Sequence, residues 1–282
     1  MLRTEFVDAN RWASRGADVI ATAVTNAIVA RGRCVLALSG SATPQPVFAE
    51  LARRQFPWNK IIIIQIDERL APLGSPERNL TAQQQAFSDN RLRWLPLPVD
   101  AADETGVVPA AALTQYESEL AELLAGNPID VAQLGLGLDG HTASLVPGDP
   151  LVEQSGGLVG QSIAYNGARR LTLTRSDQCK STSHMARHRR SQASMVERLV
   201  AGDVTIPAGR ISQERAIVVA DDAARLASSN FPSVSAGYPR QSQADGVRRG
   251  VGRERLAVPP GPTRLQRHAC ELGHEIEFDG QT

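Results

Sequence analysis

Cys34-Val35-Leu36-Ala37-Leu38-Ser39-Gly40-Ser41-Ala42-Thr43-Pro44 decides how this chain is read. An apolar run without alternation stops at three small residues, and a helical pattern follows from Pro44 to Ala52. A short run that is apolar throughout is the mark of a strand covered on both faces, as in a parallel sheet. Strand, small-residue turn and helix in that order open an α/β unit. The same grammar extends in both directions. Upstream, Val19, Ile20, Ala23, Val24, Ala27 and Ile28 recur at helical spacing over 8–30, and Gly32 is the stop. Downstream, Ile61 to Ile66 reads as a buried strand that ends abruptly at Asp67-Glu68-Arg69. A helix follows over Ala110 to Ala125, then a strand over Ile129 to Leu136. Leu171 to Thr174 is a short strand, Met195 to Val200 a helical turn or two, and Ala216 to Ala220 a last strand.

Alternating strands and helices predict an α/β fold: a mostly parallel, Rossmann-like sheet flanked by helices on both faces, over 1–224. Residues 225–282 lack periodicity and hold five prolines and eight arginines, so they read as a disordered tail. The segment 175–194 also breaks the rhythm. Its apolar residues are Cys179, Met185, Ala186 and Ala193, set among Arg175, Lys180, Arg187, Arg189 and Arg190.

The 282 residues carry 30 basic and 30 acidic side chains, a net charge of zero. That excludes a globally basic nucleic-acid binder and an acidic disordered chain. The balance is a cancellation. Residues 1–174 hold 14 basic against 18 acidic groups, while 175–190 hold five basic and one acidic. No apolar run approaches the ~20 residues a membrane span needs, and the N-terminus lacks a signal-peptide pattern. Cys34, Cys179 and Cys270 are widely spaced and odd in number, which fits a reducing, cytoplasmic setting without disulfides. Cys34 reads as a small core residue. No metal is expected: His268, Cys270 and His274 match no closed ligand set.

In open α/β sheets ligands bind at the carboxyl ends of strands, and three strand ends here are polar. Ser39-Gly40-Ser41-Ala42-Thr43-Pro44 fits an anion site at a helix N-terminus and fits an ordinary helix cap equally well. Asp67-Glu68-Arg69 either meets partners or a ligand, or starts a solvated loop. Gly135 to Leu145 contains a literal GxGxxG, but no acid follows ~20 residues later to hold a ribose, so the dinucleotide reading is rejected. What remains is a glycine-lined loop presenting Asp139 and His141. A histidine there is either structural or a general base near neutral pH, and no other histidine precedes position 184.

These three blocks, in this order and spacing, resemble the signature blocks of the 6-phosphogluconolactonases: Leu38 to Pro44, Asp67-Glu68-Arg69, and Leu136 to Gly148 with its Asp139-Gly140-His141-Thr142-Ala143-Ser144-Leu145 core. Arg78-Asn79, Tyr116-Glu117, Arg169 to Thr174 and Ile206 to Arg210 also match family positions, so the likeness covers roughly 5–224. The related amino-sugar-phosphate deaminases differ in the third block. The resemblance implies a cytoplasmic hydrolase without cofactor or metal. It would open a small-molecule sugar-phosphate lactone, 6-phosphogluconolactone, in the pentose phosphate pathway, with no nucleic-acid or membrane partner, as a monomer or small homo-oligomer. It implies that His141 takes a proton from water, that Asp139 or Asp67 orients it, and that Arg69 with backbone N–H groups stabilises the oxyanion. Ser39, Gly40, Ser41, Thr43 and Arg170 would hold the phosphate.

The chain departs from the family pattern in three places. Ser41 stands where a second glycine is usual, which would strain the loop if φ is positive there. Leu138 replaces a common glutamate. Most of all, 175–194 replaces an apolar strand and a Gly-x-x-Lys whose lysine binds phosphate, and Lys180 comes too early to serve. This is the pattern a local reading-frame shift, restored near Met195, would leave. A charged central strand cannot be buried unpaired, so the segment is expected to loop out and leave a gap in the sheet, or the C-terminal third to fold poorly, with reduced stability and weak or absent activity. A non-catalytic sugar-phosphate binder and an amino-sugar-6-phosphate deaminase are the competing readings.

Overall fold

In the computed structural model of the chain, the description covers residues 2–88, 91–154, 156–174, 182–186 and 190–224, with backbone alone for 182–186 and 190–191. The expected tail at 225–282, the histidine–cysteine cluster within it, and Lys180 lie outside the described residues.

The apolar runs form strands where the periodicity puts them. In chain order the elements are β1 (Arg3–Val7), α1 (Trp12–Arg31), β2 (Cys34–Leu38), α2 (Gln45–Ala52), β3 (Ile61–Gln65), β4 (Asp67–Arg69), α3 (Asn79–Ala86) and β5 (Arg93–Leu95). They continue with α4 (Ala110–Leu124), β6 (Val131–Gly135), β7 (Val159–Gln161), β8 (Arg170–Leu173), β9 (Thr182–Ala186), α5 (Arg190–Val200) and β10 (Ala216–Asp221). A seven-stranded sheet runs β1-β10-β9-β6-β2-β3-β5, and its pairings are parallel. A second sheet, β4-β8-β7, is antiparallel.

β2 and β3 pair from Cys34–Ile61 to Leu38–Gln65, and both are buried along their whole length. Alternate residues feed two cores. Cys34, Leu36, Leu38, Ile61 and Ile63 pack with Trp12, Ile20 and Val24 of α1 and with Phe48 and Leu51 of α2. Val35, Ala37 and Ile64 face Tyr116, Leu120 and Leu124 of α4 and Leu171 and Leu173 of the small sheet. Val196 and Leu199 of α5 cover Val218 and Ala220 of β10. Each such aliphatic side chain, fully buried, contributes about 1.5–3 kcal/mol. The Trp12 indole N–H donates to the Val219 carbonyl at 3.0 Å, so α1 is tied to the sheet by a bond as well as by area. Gly32, at φ 74°, closes α1 in the left-handed region, as its position after the apolar repeat predicts. The Cys34 thiol is buried in this core, and burial pushes its pKa up.

One expectation needs correction, and one alternative left open above is closed. The segment 175–194 does not leave a gap. Thr182–Ala186 forms β9, paired in parallel with β6 on one side and β10 on the other. The physical reason lies in which residues pair. Ser181 to Ala186 is the longest stretch of this segment free of Lys, Arg, Asp and Glu, and β9 falls within it. The helix after it is also longer than a turn or two, beginning at Arg190. Second, Asp67-Glu68-Arg69 is not a solvated loop start. It is a strand of the second sheet with Asp67 and Glu68 buried. Ile66 is the hinge: its N–H donates to Leu38 at 2.9 Å, and its carbonyl accepts from the Leu173 N–H at 2.8 Å. Among the described residues no helix is long and apolar enough to cross a membrane.

Candidate active site

The chain leaves β2 toward β3 and β5 on one side, then returns to β6 on the other, so the strand order switches direction between β2 and β6. The crevice at such a switch is where the carboxyl ends of an α/β sheet leave room for a ligand. A cavity of about 250 Å³ lies there, lined by Ser39, Ser41, Thr43, Asp67, Arg69, His141 and Arg170 among others. The three polar blocks, far apart in sequence, thus meet in one place.

The β2 end presents a loop. α2 opens at Pro44 with no side-chain cap, so its first N–H groups are not capped from the loop, which favours the anion reading over the ordinary cap. The Ser39 hydroxyl donates to the Gln133 carbonyl at 3.1 Å, so its proton is already committed. Ser41 is not among the residues with positive φ, and the strain expected there is absent. Gly40 is required for another reason: a Cβ at this position would fall 1.9 Å from Cγ of Asn79.

Asp67 and Glu68 are buried acids with different fates. Glu68 accepts from the backbone N–H groups of Asn79 at 2.7 Å and Leu80 at 2.8 Å, and from the Gln65 amide at 2.5 Å. It therefore caps α3 and takes no part in the cavity. Asp67 accepts from the Ser144 hydroxyl at 2.7 Å, and the Asn79 amide bonds its backbone carbonyl at 2.8 Å. Burial pushes the Asp67 carboxyl above the ordinary carboxylate range, against the opposing pull of the Ser144 hydroxyl and of Arg170 and Arg69. With its folded pKa raised, Asp67 supports stability fully below the ordinary carboxylate pKa and loses that support as pH rises through the folded value. Asp67→Asn is therefore expected to raise Tm at pH 7 by about 2–4 °C, with the gain vanishing below about pH 4. Thermal melts at the two pH values check this.

The β6 end carries the histidine. The His141 carbonyl accepts from Gly137 N–H at 2.8 Å, and Gly140 N–H donates to Gly137 at 3.2 Å, which makes a tight turn. A Cβ on Gly137 would fall 2.1 Å from Nδ1 of His141, and Gly140 holds φ at +82° against Ile206. Gly137 thus seats the imidazole, and Gly140 packs the turn against Ile206. The Ala208 N–H bonds the Gly140 carbonyl at 3.0 Å, so Ile206 to Arg210 braces the turn from outside.

The question of which carboxylate pairs with His141 has a geometric answer. Nδ1 of His141 lies 2.5 Å from Oδ1 of Asp139, and that oxygen also accepts the His141 N–H at 3.1 Å. Partial burial of Asp139 works to raise its pKa. The His141 backbone and ring, with the Tyr165 hydroxyl, outweigh it and hold the group below the usual carboxylate range. An ionised carboxylate only accepts, so Nδ1 is the nitrogen that carries a proton toward Asp139, and in the neutral imidazole the lone pair is then on Nε2.

Arg69 and Arg170 stand directly opposite each other in the antiparallel β4–β8 pair. Like charges in that relation repel. Among the described residues neither has a carboxylate at salt-bridge distance, and both line the cavity. An anion placed between them relieves the repulsion.

Four neighbours were given no site role by the sequence reading, although Asn79 and Ser144 fall within its family-matching positions. Ser144 and Asn79 hold Asp67, Tyr165 touches Asp139, and Gln192 of α5 lines the cavity with Oε1 buried and unpartnered among the described residues. Asn166-Gly167 was the available signal for Tyr165, because both residues take positive φ in a two-residue hairpin turn. Among the described residues no group of three or more His, Cys, Asp or Glu is placed to hold a metal ion.

The profile of the family described as glucosamine-6-phosphate isomerases/6-phosphogluconolactonase matches residues 7–220. The chain belongs to this family. Among its relatives, the 6-phosphogluconolactonase of Rhizobium meliloti is 34% identical over 170 residues, which is 56% of this chain and 69% of that protein. That of Synechocystis is 37% identical over 171 residues, covering 55% of this chain and 66% of the relative. The chain thus spans about two thirds of the length of these relatives. The solved 6-phosphogluconolactonase of Thermotoga maritima superposes with a TM-score of 0.67 over 78% of this chain and 98% of its own, at 23% identity. The enzyme from Trypanosoma brucei gives 0.66 over 79% of this chain and 97% of its own, at 19% identity. At that identity the structures establish the fold, and the family's α/β architecture is the one described above.

Proposed function

We propose that this chain hydrolyses 6-phospho-D-glucono-1,5-lactone to 6-phosphogluconate, the lactonase step of the pentose phosphate pathway, in the cytoplasm. The observation that carries the assignment of roles is the His141–Asp139 pair at the wall of a cavity that also holds two opposed arginines. Water attacks the lactone carbonyl while Nε2 of His141 accepts its proton. Asp139, bonded to Nδ1–H, fixes the tautomer and balances the imidazolium, the logic that serves other hydrolytic histidines. The tetrahedral intermediate places its negative charge near Arg69. It collapses by expelling the ring oxygen, which takes the proton back from Nε2, and the new carboxyl group ionises. Arg170, with Ser41, Thr43 and the open end of α2, binds the phosphate. Gly40 lets Asn79 close on that loop, and Ser39 anchors the loop to β6.

Asp67 has a supporting role under this proposal. It lies on the cavity wall without contacting the His141 ring within hydrogen-bond distance, and its bonds to Ser144 and Asn79 tie β4 to the loops around the cavity. The assay is direct: purified chain with 6-phosphogluconolactone, lactone loss followed above its spontaneous rate. Turnover is the expected result, because β9 fills the sheet position whose loss was the ground for expecting weak or absent activity. Ammonia release from glucosamine 6-phosphate instead would replace the assignment, and a ligand-induced rise in Tm without turnover would mark a binding protein.

The lysine that the resemblance calls for has no counterpart on the described cavity wall. Gln192 of α5 faces the cavity there as a neutral amide. Adding a cation at close range to a phosphate dianion strengthens binding by about 1–3 kcal/mol. Gln192→Lys is therefore expected to lower KM about tenfold with kcat little changed, read from initial rates.

A further inference from the structure

The hairpin turn at Tyr165-Asn166-Gly167-Ala168 lies outside the blocks that make up the proposed site, yet it touches them at three points. Tyr165 and Ala168 exchange backbone hydrogen bonds at 3.0 and 3.3 Å, with Asn166 at φ 50° and Gly167 at φ 80°, so the turn is fixed. From it the Tyr165 hydroxyl donates to Oδ2 of Asp139 at 3.1 Å, the oxygen that His141 does not use. The phenol ring stands edge-on to the His141 imidazole, centroids 5.4 Å apart at 63°. The Arg170 guanidinium carbon sits 5.9 Å from the centroid of the same ring. One side chain therefore borders the general base, the carboxylate behind it and an arginine of the anion site.

We infer that Tyr165 is a positioning residue with two separable duties: its hydroxyl locks the Asp139 carboxylate in the orientation that holds His141, and its ring holds Arg170 toward the bound anion. The inference rests on the lactonase reading given above. Asp139 sits on a glycine turn and is partly exposed, so its side-chain torsions are free unless both oxygens are bonded. His141 bonds one and Tyr165 the other. A carboxylate with one oxygen released rotates, and the imidazole it carries samples orientations in which Nε2 misses the attacking water. The phenol remains a donor at neutral pH, because burial and the adjacent Asp139 charge raise its pKa. The ring's second duty is electrostatic: an arginine over an aromatic face is held without a carboxylate that would compete with the ligand.

Two variants separate the duties. Tyr165→Phe removes the hydroxyl and keeps the ring. It is expected to lower kcat by about 3- to 10-fold at unchanged KM and unchanged Tm. Tyr165→Ala removes both and is expected to lower kcat similarly while raising KM by about 2- to 5-fold. In 15N-labelled protein without substrate, the His141 imidazole N–H resonance is expected to shift in Tyr165→Phe. Wild-type kcat in Tyr165→Phe, alongside an inactive His141→Ala, overturns the orienting duty while leaving the lactonase reading intact. An unchanged KM in Tyr165→Ala overturns the arginine-holding duty. If His141→Ala turns over as fast as wild type, the lactonase mechanism itself fails and the positioning role with it. If no form of the chain turns over, the imidazole resonance decides: a shift supports the Tyr165–Asp139–His141 linkage, and identical spectra overturn it.

Discussion

His141→Ala is expected to reduce lactone hydrolysis by about 10²- to 10⁴-fold in kcat, toward the spontaneous rate, with KM changed little. The effect is large because, among the described residues lining the cavity, the other group able to take a proton is Asp67. Asp139 is ionised but bonded to Nδ1–H and to Tyr165, so both of its oxygens are engaged. Asp67 is buried and its Oδ2 already accepts from the Ser144 hydroxyl. Binding should survive, because the anion contacts assigned to Arg69, Arg170 and the β2 loop do not pass through the imidazole. Initial rates over a range of lactone concentrations, corrected for spontaneous opening, give the comparison. A variant as active as the wild type would remove His141 from the mechanism and leave the family membership untouched. The variant is expected to fold normally, since the partly exposed ring sits beside Gly137 on the cavity wall and is not part of the hydrophobic cores.

Gly40→Ala is expected to lower Tm by about 6–12 °C and to abolish turnover at assay temperature, the largest stability change expected of any single methyl group in the site. The new Cβ would lie 1.9 Å from Cγ of Asn79 and 2.1 Å from its Cβ. A clash with a side-chain tip is relieved by a rotamer change, but a clash with Cβ is not, because Cβ moves only with the backbone. Asn79 opens α3, and its backbone N–H is held by Glu68 while its amide holds the Asp67 carbonyl. Relief must therefore displace α3 or the β2 loop, and either movement disturbs Asp67 and the anion site together. Overpacking of this kind costs about 1–3 kcal/mol, and disruption of the buried Glu68 cap adds to it. Thermal unfolding followed by circular dichroism, with the activity assay on the same samples, checks both halves. A variant that melts with the wild type would mean that the loop and α3 separate freely.

Much of this molecule was legible in the chain. The parallel sheet follows from apolar runs such as Cys34 to Leu38 and Ile61 to Ile64, because a strand buried on both faces has no polar side to alternate with. The candidate site was read from the polar residues that interrupt those runs at their carboxyl ends. β1 and β5 were missed, being edge strands whose residues are only part-buried and carry weak patterns. β9 was misjudged for a different reason. Averaging over 175–194 gave a charged segment, whereas pairing needs only the five residues Thr182–Ala186.

What the sequence alone determined was the local chemistry: where strands stop, which small residues let a loop approach a ligand, and that Asp139 and His141 share one turn. Those are properties of neighbours along the chain. What only the tertiary structure decided was how distant residues meet. Ser144 reaches Asp67 across 77 positions, Arg69 faces Arg170 across two strands, and Glu68 caps α3 from outside. No periodicity encodes such contacts, because they depend on the strand order and register of the assembled sheets. Asp67-Glu68-Arg69 illustrates the division. Read along the chain, these are three charges after a strand. Folded, one caps a helix, one is desolvated at the cavity wall, and one faces a like charge, because burial and partners rather than residue type set what each group does.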